Sequence, residues 1–296
     1  MSKESNYLYH LVAFVTVAIW GTTFVSTKVL MLNGISPAQI FTLRFSIAYV
    51  LMLCFNHKRL FSDSWKDEAK MMLLGITGGS LYFLSENEAM NFTTATNTSL
   101  IVCSCPLFAT LLVRLVYKDT ARINTIQMLG SFLAFVGMAI VVLNGRFVLH
   151  LAPAGDALAF TACICWAFYS LLMKSASSHY GAAFITRKVF FYGVLTILPY
   201  YLIKPGFPSL TTLTQPVVLG NLLFLGCLAS MVCFLTWNWC ISKLGAVKAT
   251  TWVYFNPITT MIFASWVLDE KITPYFLMGA ACILTGMYVA DKKTKE

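Results

Sequence analysis

Charged side chains are scarce in this sequence. Asp, Glu, Lys and Arg make up 11% of its 296 residues, whereas hydrophobic types make up 58%. A soluble globular domain carries roughly 25% charged residues, so most of this surface cannot face water. A single core could not bury so much apolar material at this length, and lipid is the remaining apolar environment.

Motifs for catalysis, nucleotides and metals are missing as well. The sequence has no Gly-x-Ser-x-Gly, Walker A or His-Glu-x-x-His pattern. Its nine cysteines lie within or at the ends of apolar runs, without metal-ligand spacing or a disulfide framework. The net charge of +9 comes without a basic patch that interleaves stacking aromatics, so we expect no nucleic-acid partner. We also expect no catalytic residues, no cofactor and no metal.

Ten apolar runs, most of them close to the ~20 residues that span ~30 Å of hydrocarbon, alternate with charged segments. They are residues 11–27, 37–55, 71–85, 92–113, 123–145, 157–173, 189–203, 216–241, 249–268 and 272–290. The sequence therefore predicts an all-α integral membrane protein with ten transmembrane helices in contact with membrane lipid.

The distribution of Lys and Arg orients these predicted spans. Sixteen of the 21 basic residues fall in the loops on the side of the two termini, four fall on the other side, and Arg44 lies within a span. Cytoplasmic loops carry an excess of Lys and Arg. We therefore expect both termini in the cytoplasm, an even number of crossings and a bacterial inner membrane location.

Several landmarks recur in the same order in both halves of the chain. The pairs are Trp20 and Trp166, Lys28 and Lys174, Arg44 and Arg187, Pro106 and Pro257, Gly130 and Gly279, and Gly137 and Gly286. Five spans in each half would place the second half upside down relative to the first. Inverted repeats of this kind put a binding site near the bilayer midplane and support alternating access. We predict one repeat over residues 1–149 and a second over residues 150–296.

Specific residues also resemble those of a known family. Ile19-Trp20-Gly21 in the first span, Arg44 in the second, the prolines of the fourth and ninth, and Leu268-Asp269-Glu270 before the last are similar to the drug/metabolite transporter superfamily, specifically its ten-helix EamA-type permeases. The resemblance covers about residues 8–290. It implies a facilitator or proton-coupled carrier for amino acids or similar small metabolites, often working as an exporter. One chain is expected to suffice, as a monomer.

Charged residues within or beside the spans are candidates for function, because charge is costly near hydrocarbon. Glu86 closes the third span, where it would bind a proton or a substrate amine; the alternative is solvation at the outer interface. Arg44 and Arg187 are expected to be structural charges that pair with a carboxylate or cap carbonyls, with ligand contact as the alternative.

Tryptophan and polar residues complete the predicted substrate site. Trp20 and Trp166 lie at mid-span, away from the interfaces where tryptophan usually anchors helices, which favours packing or a cavity lining. Trp237, close to the predicted cytoplasmic end of the eighth span, is typical of the interfacial belt instead. The remaining predicted site residues are Asn97 and Ser104 in the fourth span and Tyr254 and Asn256 in the ninth.

Pro106 and Pro257 each remove a backbone hydrogen bond at mid-span. The freed carbonyls must be met by protein groups or by water in a cavity, so matched kinks predict hinges or a widened cavity. An inherited kink without motion is the alternative.

The sequence leaves other classes of membrane protein open. A membrane-embedded enzyme would need His, Asp or Glu clustered at one interface, and no such cluster stands out. A sensor or structural subunit would not need matched kinks and polar mid-span residues. A channel also fits a polar cavity, but the internal repeat favours a carrier.

Overall fold

The computed structural model describes residues 3–92, 98, 101–116, 125–143, 152–203, 206–268 and 272–291. Within these ranges the chain is helical and contains no strand. We label the helical runs in chain order. They are α1 (Lys3–Leu32), α2 (Pro37–Phe55), α3 (Trp65–Gly75, Ile76–Ser80 and Leu81–Phe92), α4 (Cys105–Val116), α5 (Thr125–Leu143), α6 (Pro153–Ala176), α7 (Ala182–Ile203), α8 (Pro216–Leu223, Phe224–Val232 and Cys233–Leu244), α9 (Ala246–Thr251, Trp252–Phe255 and Asn256–Leu268) and α10 (Pro274–Asp291), with a short helix Leu210–Leu213 before α8.

Six helices in the described ranges are long and apolar enough to cross a membrane. They are Tyr7–Leu32, Pro37–Phe55, Thr125–Leu143, Pro153–Ala176, Ala182–Tyr201 and Pro216–Leu244, and Pro274–Ala290 is a shorter apolar helix. The prediction of an all-helical protein with membrane-spanning helices is confirmed at this level. The count of ten crossings stays a prediction.

Helix ends follow local signals that hydropathy does not register. α2 occupies 37–55 as predicted, because Ser36 and Gln39 form a capping box and Pro37 stands at the first helical position. By contrast, α3 begins at Trp65 rather than 71 and α7 at Ala182 rather than 189. The residues by which these helices precede the apolar runs include charged side chains, Lys66, Asp67, Glu68 and Lys70 in α3 and Arg187 and Lys188 in α7.

Irregular helix geometry occurs at matching places in the two halves. The segment Ile76–Ser80 of α3 and the segment Phe224–Val232 of α8 are both π-helical. A turn at Cys103–Ser104 precedes α4, and a 3₁₀ segment at Trp252–Phe255 interrupts α9. Deviations of this kind in α-helices frequently mark functional sites.

The helices of one half pack mainly against those of the other. α1 packs on α8 and α9, α6 on α3 and α4, α2 on α7 and α8, α3 on α7, and α5 on α10. The same pairs result when α1 is exchanged with α6, α2 with α7, α3 with α8, α4 with α9 and α5 with α10. Residues from both halves therefore reach the centre of the molecule.

The α5–α10 pair is antiparallel and joined through glycines. A Cβ on Gly130 would lie 2.7 Å from the carbonyl oxygen of Gly286, and one on Gly137 would lie 2.7 Å from that of Gly279. Only residues without a side chain allow two helix backbones to approach this closely. Gly130 therefore meets the repeat counterpart of Gly137, and Gly137 meets that of Gly130. This reciprocal arrangement is the pattern of a self-complementary two-fold contact.

Candidate functional site

Aromatic side chains from α1, α3, α6 and α8 meet at the centre of the molecule. The ring centroids of Trp20 and Trp166 are 5.6 Å apart, with nearly perpendicular planes. Tyr82 lies 5.0 Å from Trp166, whereas Phe234 and Trp237 lie 5.6 and 5.1 Å from Trp20. We call these five residues the central aromatic cluster. Such rings offer broad apolar surfaces with polar groups at their edges.

Trp237 does not belong to an interfacial belt, contrary to the expectation from sequence. It is fully buried, because α8 continues to Leu244, about two turns beyond it. The indole N–H of Trp20 donates to the carbonyl of Ala229 at 3.0 Å, in the π-helical segment of α8. The central cluster therefore ties α1 to α8 and contains a third tryptophan that the sequence did not reveal.

One basic and one acidic side chain are buried beside the central cluster. Arg44, 5% exposed, donates from Nε to Ser230 Oγ at 2.8 Å, and its guanidinium lies 4.9 Å from the ring centroid of Phe83. Glu86, 7% exposed, accepts a 3.0 Å hydrogen bond from the hydroxyl of Tyr82. Glu86 is buried rather than solvated at an interface, and it interacts electrostatically with Arg44.

Three buried polar atoms near the centre have no hydrogen-bond partner in the described part of the chain. They are Trp237 Nε1, Tyr254 Oη and Asn256 Oδ1. Leaving a buried polar group unsatisfied costs about 1–3 kcal/mol, so native proteins rarely keep one without a reason. The two donors and one acceptor are available to a ligand or to water.

Pro106 and Pro257 each stand second in a new helical segment that follows a break. Proline is tolerated in the first turn, where its missing N–H would have no partner in the helix. Ser104, in the break before α4, donates to the carbonyl of Ile101 at 2.5 Å and lies 3.4 Å from Cys163 Sγ on α6. Asn97, the other predicted polar residue of this span, lies outside the described residues.

Arg187 lies near the end of α2 and is not a member of the central cluster. Its guanidinium donates to the carbonyls of Asn56, Arg59 and Leu60. These contacts satisfy carbonyls at and beyond a helix C-terminus, where a cation is favoured. The structure thus places the two repeat-matched arginines in different surroundings, since Arg44 bonds a hydroxyl on a neighbouring helix.

A polar network joins the start of α3 to the start of α7. Glu68 forms an ion pair with Lys188 and accepts a 2.5 Å hydrogen bond from the Tyr192 hydroxyl. Burial opposes ionisation of Glu68, but these two partners and the backbone N–H of Ser62 outweigh it and lower the pKa of Glu68 to about 2. The carboxylate is therefore fully ionised at neutral pH and binds α3 to α7.

A cavity of about 240 Å³ lies between α1, α4, α5, α9 and α10. We call it the lateral cavity. Its polar lining consists of His10, Thr110, Gln127, Ser131, Lys248, Thr251, Trp252 and Tyr288. The sequence did not predict this cavity, because its lining residues form no motif and match no repeated landmark.

The described ranges bring together no group of three or more His, Cys, Asp or Glu side chains that could hold a metal ion. The nine cysteines are free thiols. The central site therefore offers hydrogen bonding, one charge of each sign and aromatic surface, which is the chemistry of binding.

Comparison with known proteins gives the family and the fold of the chain. The model of the EamA-like transporter family matches residues 8–143 and 153–290. A solved structure with 16% sequence identity covers 98% of both chains with a TM-score of 0.80, so the fold is shared across nearly the whole chain.

Curated relatives also match along nearly their full length. One from Archaeoglobus fulgidus, named "Uncharacterized transporter", is 26% identical over 98% of this chain and 100% of its own. A protein of Escherichia coli strain K12 named "Probable amino-acid metabolite efflux pump" is 25% identical over 98% and 95%. A "Probable terminal-alkyne amino-acid exporter" of Streptantibioticus cattleyicolor is 24% identical over 99% and 95%.

Proposed function

Because this chain belongs to the EamA-like transporter family, we propose that it exports a small amino-acid-like metabolite across the bacterial inner membrane by alternating access. The observation that carries the substrate class is the burial of one basic side chain, Arg44, and one acidic side chain, Glu86, beside the central aromatic cluster. A zwitterion needs one charge of each sign, and aromatic rings accept an apolar side chain or an ammonium group.

Roles follow from the contacts of each residue. Trp20 and Trp166 form the aromatic wall of the proposed site. Ser104, which lies against Cys163 of α6, is proposed as a polar residue of the same site. Tyr254 and Asn256, each with an unpaired polar atom, are proposed to bind the substrate directly. Asn97 is proposed, from the sequence alone, as a further residue of the substrate site.

The proposed mechanism exchanges the conformations of two inverted five-helix repeats, over residues 1–149 and 150–296. The interchangeable set of helix neighbours and the glycine contacts of α5 and α10 support this symmetry. Pro106 and Pro257 are the proposed hinges, because they follow the matched breaks in α4 and α9. Arg187 is proposed to have a structural role, because its guanidinium donates to backbone carbonyls near the end of α2.

Metabolite profiling of cells lacking and overproducing the protein, followed by counterflow into proteoliposomes, tests this proposal. The changed compounds should include zwitterionic metabolites, and counterflow should require Trp166. We expect Trp166→Ala to lose counterflow at unchanged protein yield. Trp266→Ala is the matched control, because Trp266 is 79% exposed on α9 and should be silent. Wild-type proteoliposomes without counterflow of any changed compound would contradict the proposal.

Proton coupling through Glu86 has its own test. We expect Glu86→Gln to remove the pH dependence of uptake, because the amide keeps the shape of the side chain but cannot ionise. Glu88→Gln is the control on the same helix, since Glu88 accepts hydrogen bonds from Asn91 and Tyr200 at the end of α3. Unchanged pH dependence in Glu86→Gln would rule out this role.

A further inference from the structure

We propose that the segment from the end of α2 to the start of α3, residues 55–66, is a docking surface for anionic phospholipid. The inference goes beyond the proposed function, because it concerns the bilayer around the protein and not the transported solute. The segment combines large exposed apolar side chains with lysines, which is the composition of a contact with lipid headgroups. The distribution of Lys and Arg predicts that it faces the cytoplasmic leaflet.

Three aromatic side chains of this segment are largely uncovered by the protein. Phe55 is 77% exposed, Phe61 is 74% exposed and Trp65 is 89% exposed. Trp65 begins α3, and the exposed residues Met72 and Leu73 follow it by seven and eight positions, on the same face of the helix. Trp65 therefore extends the exposed apolar face of this predicted span by ~10 Å towards the end of the helix. Tryptophan at such a position typically lies at the level of the headgroups.

The charges around this segment leave two lysines available to lipid. The neighbouring carboxylates already have partners within the protein: Asp63 has Arg59, Asp67 has Ser64 and Tyr180, and Glu68 has Lys188. Lys58 and Lys66 are exposed and form no ion pair with the described residues. Their ammonium groups can therefore meet lipid phosphates, and each basic residue near an anionic membrane surface strengthens the attraction.

Contacts with the second half of the chain hold the segment in place. The carbonyls of Arg59 and Leu60 accept hydrogen bonds from the guanidinium of Arg187. The backbone N–H of Asp63 donates to the hydroxyl of Tyr180 at 2.9 Å, and the guanidinium of Arg59 lies 4.9 Å from the ring centroid of Tyr180. Because these contacts fix the backbone, a bound headgroup would require little further ordering of the segment.

The matching connection of the second half, from α7 to α8, shares the apolar exposure but not the charge. Phe207 and Leu210 are exposed there, whereas residues 206–215 contain no Lys, Arg, Asp or Glu. Lys204 is the one basic residue between the end of α7 and the start of α8 in the sequence. Of these two connections, we therefore expect the 55–66 segment to prefer an anionic headgroup.

Competition between two lipids in detergent tests this surface without requiring transport. Native mass spectrometry of the full-length protein counts bound phosphatidylglycerol and phosphatidylcholine that carry identical acyl chains, and wild type should prefer phosphatidylglycerol. Lys58→Gln and Lys66→Gln should each lower this preference about 5-fold, because each removes one charge from the surface. Lys243→Gln is the matched control, since Lys243 is exposed in the last turn of α8 and should leave the preference unchanged.

Trp65 gives a second test that does not depend on charge. Trp65→Ala should weaken binding of both lipids several-fold and leave their ratio unchanged, because the indole contacts lipid without distinguishing the headgroup charge. Trp266→Ala, an equally large change on the exposed face of α9, should leave both affinities unchanged. All four of these side chains are exposed, so the elution volume and melting temperature of each variant in phosphatidylcholine should match wild type.

Several outcomes would overturn the proposal. Equal binding of the two lipids by wild type, or an unchanged preference in both lysine variants, would remove the anionic docking surface. The same loss in Lys243→Gln would reveal a general effect of net charge. Displacement of bound phosphatidylglycerol by millimolar inorganic phosphate would make the segment a site for a free anion. None of these results depends on the proposed export, which counterflow tests separately.

Discussion

Two buried tyrosines near the centre differ in what their hydroxyls contact. The hydroxyl of Tyr169 donates to Asn238 Oδ1 at 2.5 Å, whereas that of Tyr254 has no partner in the described ranges. Both residues are fully buried. The same Tyr→Phe change therefore separates a structural hydroxyl from one available to substrate.

We predict opposite effects for these two substitutions. Tyr169→Phe leaves Asn238 with an unmet acceptor and should lower stability by about 1–3 kcal/mol. Tyr254→Phe removes an unsatisfied group, so thermal stability should stay equal or rise, while KM in counterflow increases several-fold. Melting of the detergent-purified variants, followed by counterflow, measures both. A loss of stability in Tyr254→Phe comparable to that in Tyr169→Phe would show that its hydroxyl has a structural partner.

Glu68 gives a pH-dependent prediction. Its folded pKa of about 2 lies below the ordinary value of 4.5, so ionisation favours the folded state. This contribution is complete above pH 4.5 and is lost as the pH falls towards 2. Glu68→Gln should lower the melting temperature at neutral pH, where it leaves Lys188 buried without its partner.

Acid titration of both proteins measures this effect. Below pH 4.5 the difference in melting temperature between wild type and Glu68→Gln should shrink. Asp63→Asn is the control, because the Arg59–Asp63 pair is exposed and such pairs contribute little. A gap that widens on acidification would contradict the assignment.

At the scale of helices, the α5–α10 contact depends on the absence of side chains. A Cβ on Gly137 would lie 2.6 Å from the backbone nitrogen of Ile283, and backbone atoms cannot move aside as flexible side-chain ends do. We predict that Gly137→Leu separates the helices and abolishes a monodisperse folded protein. Gly220→Leu in α8 is the control, since a Cβ at that position would meet no neighbouring helix within 4 Å in the described ranges and leucine favours helix.

Size-exclusion chromatography and melting of the two variants provide the comparison. If Gly137→Leu kept the elution volume and melting temperature of wild type, α5 and α10 could separate without loss of stability, and the prediction would be wrong. The same glycines were identifiable from sequence as matched landmarks, but their mutual contact was not, because spacing along a helix does not specify the partner helix.

The breaks in the helices were predictable from the sequence where they contain proline, and the π-helical segments were not. Pro106 and Pro257 predicted interruptions, since proline disrupts a regular helix interior. The π-helical segments carry no proline, and Ile76–Ser80 reads as an ordinary apolar run with two glycines. Their geometry depends on packing against α7 and α2, which hydropathy does not contain.

At the scale of the whole molecule, inverted repeats make a prediction about residue 150. Five crossings before it would place this position outside, with both termini inside. A cysteine at His150 should react with an impermeant maleimide in intact spheroplasts, and one at Ser242 should react only after lysis. Reaction of both positions from one side would exclude the odd number of crossings, three, that the prediction places between residues 150 and 242.

The helical membrane class and the family were predictable because they depend on composition and on a few motif residues. The sequence also predicted Trp20, Trp166 and Glu86 as residues of one site. In the structure Trp166 and Glu86 both contact Tyr82, and Trp20 contacts Trp166. Trp237 was assigned wrongly because its burial depends on where α8 ends. The lateral cavity was missed because its lining comes from five helices with no shared pattern.

The α5–α10 contact also has a mechanical consequence. The backbones of these two helices touch directly, with no flexible side chains between them. The helices therefore cannot slide along one another without breaking contact at both pairs of glycines. For the proposed movement of the two halves we therefore expect a rocking rotation with this pair at its pivot. Displacement in such a rotation grows with distance from the pivot, so helices on the far side, α2 and α7, should travel furthest, and distance measurements between spin labels should be placed there first.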